Sequence, residues 1–130
     1  LLAEDEEIVR NLVRSILERL GLKVLEASDG TDALEMAKLQ NGDICLVVTD
    51  VIMPGLDGRR LVQELEKTAR NIPVLFLSGY PDEIIGQKGV ELKSHQYFLE
   101  KPFSPQVLMR KVSEVLSESG EPSLKRPNSH

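Results

Sequence analysis

Five polar side chains of this 130-residue sequence stand where short apolar runs end. Each run has the length and composition of a buried β-strand. In a parallel sheet with alternating helices, the carboxyl ends of the strands meet at one edge, and ligands bind there. We therefore expect the five residues to gather at one edge of a sheet. They are Glu4 and Asp5 after the first run, Asp50 after the third, Ser78 after the fourth and Lys101 after the fifth.

Glu4, Asp5 and Asp50 would bring three carboxylates close together, and like charges removed from water repel one another. A divalent cation offsets this repulsion. Because the ligands are all oxygen atoms, the set favours Mg²⁺ or a similar hard ion. A zinc site is disfavoured, since the sequence offers one cysteine and two scattered histidines.

Asp50, Lys101 and Ser78 together indicate phosphoryl-transfer chemistry. A carboxylate can attack a phosphoryl group and form an aspartyl phosphate. Lys101 would bring a positive charge to the phosphoryl oxygens, and Ser78 would bring a hydroxyl hydrogen bond. The peptide bond between Lys101 and Pro102 can be cis, which would aim the ammonium group inward.

The sequence alternates strand-like runs with amphipathic helical segments about five times, which is typical of a parallel sheet covered by helices on both faces. The third run is apolar almost throughout, as expected of a central strand. Gly21 is expected to end the first helix, and Ser104-Pro105 to begin the last. Residues 81–92, interrupted by glycines, predict a short helix. The predicted strands span 1–3, 23–27, 44–49, 73–77 and 97–99, and two further helices span 31–39 and 58–70.

Length and charge narrow the class of protein. A chain of this length supports one domain with a hydrophobic core. The formal net charge of -5 disfavours a nucleic-acid partner, because phosphates require a basic surface. No apolar run reaches the ~20 residues of a transmembrane helix, so we expect no membrane contact. From 119 to 130 the polar composition predicts a flexible C-terminal tail.

Four other residues are expected to have structural roles. Cys45 lies in an apolar run, which predicts a buried thiol without a disulfide partner and favours a reducing compartment. Asp57 is expected to cap the following helix rather than bind metal. His95 and His130 are expected at the surface and in the tail.

Four motifs, in their order and spacing, resemble the signatures of response regulator receiver domains of the CheY-like superfamily. They are LAEDE (2–6), TDVIMPGLDG (49–58), LSGY (77–80) and EKPF (100–103). The resemblance spans residues 1–118. It implies an α/β, flavodoxin-like (βα)5 three-layer sandwich whose parallel five-stranded sheet has the order 2-1-3-4-5. It also implies a phosphoacceptor switch of a two-component phosphorelay, phosphorylated on Asp50 by a histidine kinase or a histidine phosphotransfer protein.

The resemblance also assigns the magnesium ligands. Carried over by position, Asp5 and Asp50 would bind Mg²⁺ directly, and Ile52 would offer its backbone carbonyl. Glu4 would act mainly through water.

The resemblance assigns Ser78 and Phe98 to the conformational switch. Phosphorylation would draw the Ser78 hydroxyl toward the phosphate, and the aromatic ring would rotate inward behind it. Tyr97 is adjacent, but counting back from Lys101 places Phe98 at the family's position. A partner surface would change as a result, and formation of a homodimer is one such outcome.

Two sequence segments are also typical of receivers fused to hybrid sensor histidine kinases, and we expect this receiver to be cytoplasmic. They are DGTDAL (29–34) and LSGY (77–80). A stand-alone regulator is left open, and so is a parent chain with kinase activity. The domain itself would catalyse only its own phosphorylation and dephosphorylation.

Each candidate residue has an ordinary structural explanation when it is taken alone. Glu4 and Asp5 could open a helix, where the macrodipole favours acidic residues. Asp50 could form a turn, Lys101 could lie in solvent and Ser78 could be a loop hydroxyl. Their joint order along the chain favours the functional interpretation.

Two other functions compete with the switch. The first is a degenerate receiver that acts only as a protein-docking module, which the intact acidic pair, Asp50 and Lys101 argue against. The second is an aspartate-nucleophile phosphatase, which is disfavoured because Ile52 stands where a second acid is expected. We further expect Ile52 and Tyr80 to flank the pocket and slow the attack of water on a phosphoaspartate.

Overall fold

Strands and helices alternate along most of the residues that the structure describes. The structure is a computed structural model, and it describes residues 1–40, 44–53, 55–67, 71–79 and 95–118. No helix in these ranges is long and apolar enough to cross a membrane. In chain order the elements are β1 (Leu2–Ala3), α1 (Glu7–Arg19), β2 (Glu26–Ala27), α2 (Gly30–Leu39), β3 (Val47–Asp50), α3 (Gly58–Leu65), β4 (Val74–Ser78), β5 (Gln96–Glu100) and α4 (Pro105–Glu118).

The five strands pair in parallel, in the order β2-β1-β3-β4-β5. This order confirms the flavodoxin-like sheet that the sequence predicts. The register aligns Ala3 with Thr49 and Asp50 with Leu77. Because all strands run in one direction, the residues that follow β1, β3, β4 and β5 emerge at the same edge of the sheet.

The strand side chains alternate between two hydrophobic clusters, one on each face of the sheet. The first cluster packs α2 and α3 against strand residues that include Val47 and Phe76. The second packs α1 and α4 against strand residues that include Val48 and Leu75. Successive side chains of a strand point to opposite faces, so helices cover the sheet on both sides. This explains why the third run is apolar almost throughout.

Local sequence signals set two of the helix ends. After α1, Gly21 adopts a φ of 88°, and the backbone N–H of Leu22 donates to the carbonyl of Leu17 at 3.0 Å. This is the glycine-terminated arrangement that satisfies the last carbonyls of a helix. At the start of α4, Ser104 Oγ accepts the backbone N–H of Val107 at 3.1 Å. Both helix ends agree with the prediction.

The predicted starts of two strands are wrong. β3 begins at Val47 rather than at Ile44, so Cys45 lies in a bend before the strand. Its side chain is exposed and not buried as predicted, whereas the next residue, Leu46, also before the strand, packs into the second hydrophobic cluster. β2 begins at Glu26 rather than at residue 23, since its ladder with β1 starts there.

His95 is partly buried, and the prediction of a surface position is wrong. Its Nε2 lies 2.6 Å from Glu66 Oε2, a contact that joins the end of α3 to the start of β5. A polar partner allows the imidazole to lie away from water. The helix predicted over 58–70 ends earlier than predicted, at Leu65, and positions 68–70 lie outside the described residues. The short helix predicted over 81–92 and the tail predicted over 119–130, with His130, also lie outside them.

Candidate functional site

The carboxyl ends of the strands form an open cleft. The residues that line it are Asp5, Glu6, Asp50, Ile52, Leu77, Ser78, Gly79 and Lys101. The fold therefore brings together the residues that end β3, β4 and β5 and the acidic turn after β1. Glu4 lies behind this lining and is fully buried.

Lys101 lies between the two buried carboxylates. Its Nζ is 2.7 Å from Asp50 Oδ1 and 3.2 Å from Glu4 Oε1. Asp50 is only 3% exposed, so this ion pair is largely removed from water. The backbone N–H of Lys101 donates to the Ser78 carbonyl at 2.7 Å, which fixes the lysine to the end of β4. The bond between Lys101 and Pro102 is cis, one of the two forms that the sequence allows.

Glu4 and Asp50 each carry one buried oxygen whose hydrogen-bonding capacity is not met. Glu4 Oε2 accepts the backbone N–H of Glu6 at 2.9 Å, but Glu4 Oε1 and Asp50 Oδ1 have no partner with hydrogen-bond geometry. Lys101 Nζ is within ion-pair distance of both oxygens, yet its approach lacks that geometry. Buried oxygens in this condition are costly, so the pocket attracts positive charge.

The carboxyl of Asp50 has an unusually high pKa. Burial raises the pKa, contact with Glu4 adds to the rise and Lys101 opposes it only in part, so that the pKa is about 8. For Lys101, burial acts to lower the pKa, but contacts with Asp50 and Glu4 outweigh it and leave the pKa above its usual value. In the metal-free pocket, burial beside Glu4 thus favours a proton on the Asp50 carboxyl. A cation in the pocket would favour its loss.

Three acidic side chains are placed to hold a cation. Glu4, Asp5 and Asp50 each offer a carboxylate oxygen, and these oxygens all lie within 4.8 Å of one another. The donors are oxygen atoms only, and two of the carboxylates carry a buried, unmatched oxygen. The residues present therefore fit a hard divalent cation such as Mg²⁺. Ile52, predicted to contribute its backbone carbonyl, lines the same cleft.

The two predicted switch residues lie on neighbouring strands. Ser78 is buried at the end of β4, and Phe98 of β5 is partly buried against the first hydrophobic cluster. The adjacent Tyr97 packs against the second cluster, and its hydroxyl donates to Glu118 at 2.7 Å. That hydrogen bond raises the pKa of Tyr97 to about 12. Tyr97 and Phe98 thus face opposite sides of the sheet.

A close backbone approach positions the loop between β3 and α3. A Cβ atom at Gly58 would lie 1.8 Å from the carbonyl oxygen of Asp50. That distance is far inside van der Waals contact, so only glycine fits at this position. Asp57 Oδ1 accepts the backbone N–H of Arg60 at 2.9 Å and caps α3, as predicted.

Glu6 is a residue of the cleft that sequence reasoning missed. Its Oε1 lies 3.4 Å from Lys101 Nζ, and its backbone N–H binds Glu4. Arg10 supports the same turn, since its Nη1 donates to the Glu4 carbonyl at 2.9 Å. The signal was present as a third acid directly after Glu4 and Asp5. Glu6 was not predicted as a site residue because the motif assigns roles only to Glu4 and Asp5.

A family model described as response regulator receiver domain matches residues 1–113. The chain belongs to this family. The match confirms the resemblance that the four motifs carry. Receiver domains interact with histidine kinases or phosphotransfer proteins and generally bind Mg²⁺ at an acidic pocket, and this receiver domain has such a pocket at Glu4, Asp5 and Asp50.

The receiver domain is similar to parts of longer signalling proteins. It is 38% identical to the sensor kinase CckA of Brucella abortus (strain 2308) over 118 residues, which cover 91% of this chain and 12% of that protein. It is 36% identical to the alkaline phosphatase synthesis transcriptional regulatory protein PhoP of Bacillus subtilis (strain 168). That match extends over 130 residues, which cover 98% of this chain and 53% of that protein. The chain thus spans about half or less of the length of these relatives.

Solved structures show the same architecture. The crystal structure of the receiver domain from the hybrid histidine kinase CckA aligns with a TM-score of 0.74 at 36% identity, covering 88% of this chain and 95% of that one. The crystal structure of a response regulator receiver protein from Sinorhizobium medicae WSM419 aligns with a TM-score of 0.77 at 31% identity, covering 91% of this chain and 93% of that one. The first of these agrees with the predicted likeness to receivers of hybrid sensor kinases.

Proposed function

We propose that this receiver domain is the phosphoacceptor switch of a cytoplasmic two-component phosphorelay and accepts a phosphoryl group on Asp50. The donor is a phosphohistidine of a histidine kinase or a histidine phosphotransfer protein. The observation that carries the proposal is the buried Asp50 carboxylate, whose Oδ1 lies 2.7 Å from Lys101 Nζ beside two further acids. We propose residues 1–118 as the extent of the domain; the predicted tail, 119–130, lies outside the described residues.

In the proposed transfer, a carboxylate oxygen of Asp50 attacks the phosphorus of the phosphohistidine. A P–O bond forms as the P–N bond breaks, and the electron pair of the P–N bond returns to the imidazole. The imidazole leaves in its neutral form because its other nitrogen carries a proton. Lys101 places its charge on one phosphoryl oxygen, and Ser78 donates its hydroxyl hydrogen to another.

The acidic pocket supports the proposal of Mg²⁺ as the cofactor. Asp5 and Asp50 would hold the ion directly, with the Ile52 carbonyl as a third ligand and Glu4 acting through water. When bound, Mg²⁺ supplies positive charge that offsets the carboxylates and the incoming phosphoryl group.

The switch that reports phosphorylation is proposed to run from Ser78 to Phe98. The partly buried Phe98 ring lies against the hydrophobic cluster of α2 and α3, so a rotation of that ring changes the packing on that face of the sheet. A changed surface on that face is where we expect a downstream partner, or a second copy of the chain, to bind.

Intact mass spectrometry tests the proposed function. The chain is incubated with Mg²⁺ and acetyl phosphate, and a parallel sample contains a chelator in place of Mg²⁺. We expect the mass of one phosphoryl group to appear only with Mg²⁺. A chain that gains none under either condition would be a docking module, and sustained release of phosphate from many substrates would identify a hydrolase.

Replacing Ile52 with asparagine is expected to shorten the lifetime of the phosphoaspartate. The Ile52 side chain is 61% exposed at the cleft, where an apolar group keeps water from an ordered approach. An amide at this position can hydrogen-bond the attacking water, which changes the rate by about two- to tenfold. The lifetime is measured as loss of the phosphorylated mass after the donor is removed.

Leu39→Asn is the control for Ile52→Asn. Leu39 is also strongly exposed, but it ends α2, away from the cleft. An unchanged lifetime in the Ile52 variant, or equal shortening in both variants, would contradict the prediction. The other predicted flanking residue, Tyr80, lies outside the described residues.

A further inference from the structure

Glu6 binds both charged partners of the phosphoacceptor. Its backbone N–H donates to Glu4 Oε2 at 2.9 Å, and its Oε1 accepts from Lys101 Nζ at 3.4 Å. This contact is longer than the ion pairs of Lys101 with Asp50, at 2.7 Å, and with Glu4, at 3.2 Å. One ammonium group is thus shared among three carboxylates.

The Glu6 side chain occupies the solvent side of this arrangement. It is 63% exposed, whereas the Lys101 side chain is 20% exposed and the Asp50 side chain 5%. Glu6 also lines the cleft. A donor that approaches Asp50 from solvent therefore passes a carboxylate before it reaches the lysine that must bind its phosphoryl oxygens.

We infer that Glu6 is a positioning residue that holds Lys101 in the resting state and disfavours small, free, dianionic phosphodonors. The inference rests on the proposed function of Asp50. A small donor has no docking surface, so it meets the full repulsion from Glu6 and must also displace Glu6 from Lys101. A protein donor offsets the same repulsion with the contacts of its docked surface.

Phosphorylation rates of Glu6→Gln with two small donors of different charge test the inference. The donors are acetyl phosphate, a dianion, and phosphoramidate, which carries one negative charge less near neutral pH. The measured quantity is the second-order rate constant for gain of the phosphorylated mass, with saturating Mg²⁺ and low ionic strength. We expect the constant for phosphoramidate to rise about fivefold, the effect of one unit charge at about 4 Å in water, and that for the dianion acetyl phosphate to rise more, up to about the square of that factor.

Salt and a neighbouring acid provide the controls. Glu7→Gln removes the same charge one residue later, at the exposed start of α1, and is expected to change the rates less than twofold. At high ionic strength the gain of Glu6→Gln should shrink, because salt screens exposed charges. A merely structural role of Glu6 would alter both donors alike and would not respond to salt.

The outcomes separate this inference from the proposed function. Absence of a phosphoryl group on Asp50 in both the wild type and Glu6→Gln would refute both. If the wild type is phosphorylated and Glu6→Gln is phosphorylated at the same rate, the inference alone is refuted. The inference is also refuted if both donors gain equally, if the gain persists in salt or if Glu7→Gln reproduces it.

Discussion

Replacing Asp50 with asparagine is expected to abolish phosphoryl uptake and to stabilise the metal-free protein at alkaline pH. The amide offers no nucleophilic oxygen, so the phosphorylated mass should be absent with acetyl phosphate and Mg²⁺. The amide also removes a negative charge that burial and Glu4 make unfavourable. One substitution would thus remove function and raise stability, as expected where a charge that function requires is destabilising in its buried environment.

The pH dependence of this stabilisation follows from the direction of the pKa shift. The pKa of Asp50 rises from 3.8 to about 8 in the folded protein, so the folded state holds the proton more tightly than the unfolded state. The stability that the protonated carboxyl contributes is complete below about pH 4 and is lost as the pH rises through about 8. Asparagine resembles the protonated form at every pH.

Denaturant unfolding of both proteins with a chelator measures the effect. The advantage of Asp50→Asn should be near zero at about pH 4 and reach about 1–3 kcal/mol at about pH 8. Asp32→Asn, in the exposed first turn of α2, is the matched control for removal of one charge. An advantage that does not depend on pH, or an equal one in the control, would contradict the assignment. Addition of Mg²⁺ should reduce the advantage, because only the wild type keeps all three acids.

Gly58→Ala is expected to lower the free energy of unfolding by about 3 kcal/mol and to slow phosphorylation of Asp50. The new methyl group would lie 1.8 Å from the Asp50 carbonyl oxygen and 3.1 Å from Thr49 Oγ1. The clash is with the backbone of the nucleophile itself, so a shift of the end of β3 that relieves it displaces Asp50. The two effects are measured by denaturant unfolding and by the rate of gain of the phosphorylated mass.

Gly79→Ala is the matched control for Gly58→Ala. A Cβ at Gly79 meets no described atom within 4 Å, so the substitution should change stability by less than about 1 kcal/mol. A Gly58 variant as stable as this control would show that the loop after β3 can move away from the strand.

Sequence patterns predict the sheet and the content of the cleft because both depend on local spacing. Apolar runs such as that before Asp50 predict strands buried on both faces, and alternation with helices predicts parallel pairing. Parallel pairing then places Ser78 and Lys101 at the same edge as Asp50 without any knowledge of distances. The four motifs add the order of the strands, which periodicity alone leaves open.

The features that the sequence did not predict depend on contacts between distant segments. The start of β3 at Val47 depends on where its ladder partners lie, so the apolar run overstated the strand and placed Cys45 inside it. The pairing of Glu66 with His95 joins positions far apart in the chain. The role of Glu6 depends on the approach of Lys101 across the sheet, and no spacing in the first acidic turn encodes that approach.

The exposed position of the single cysteine has a practical consequence. Cys45 precedes β3, and the cleft lies where β3 ends, so a maleimide fluorophore attached to this thiol would stand off the phosphoacceptor by the length of the strand. No other residue of the chain carries a thiol that would compete for the reagent. A uniformly labelled protein could therefore be immobilised, or followed by fluorescence anisotropy, while a donor protein docks at the cleft.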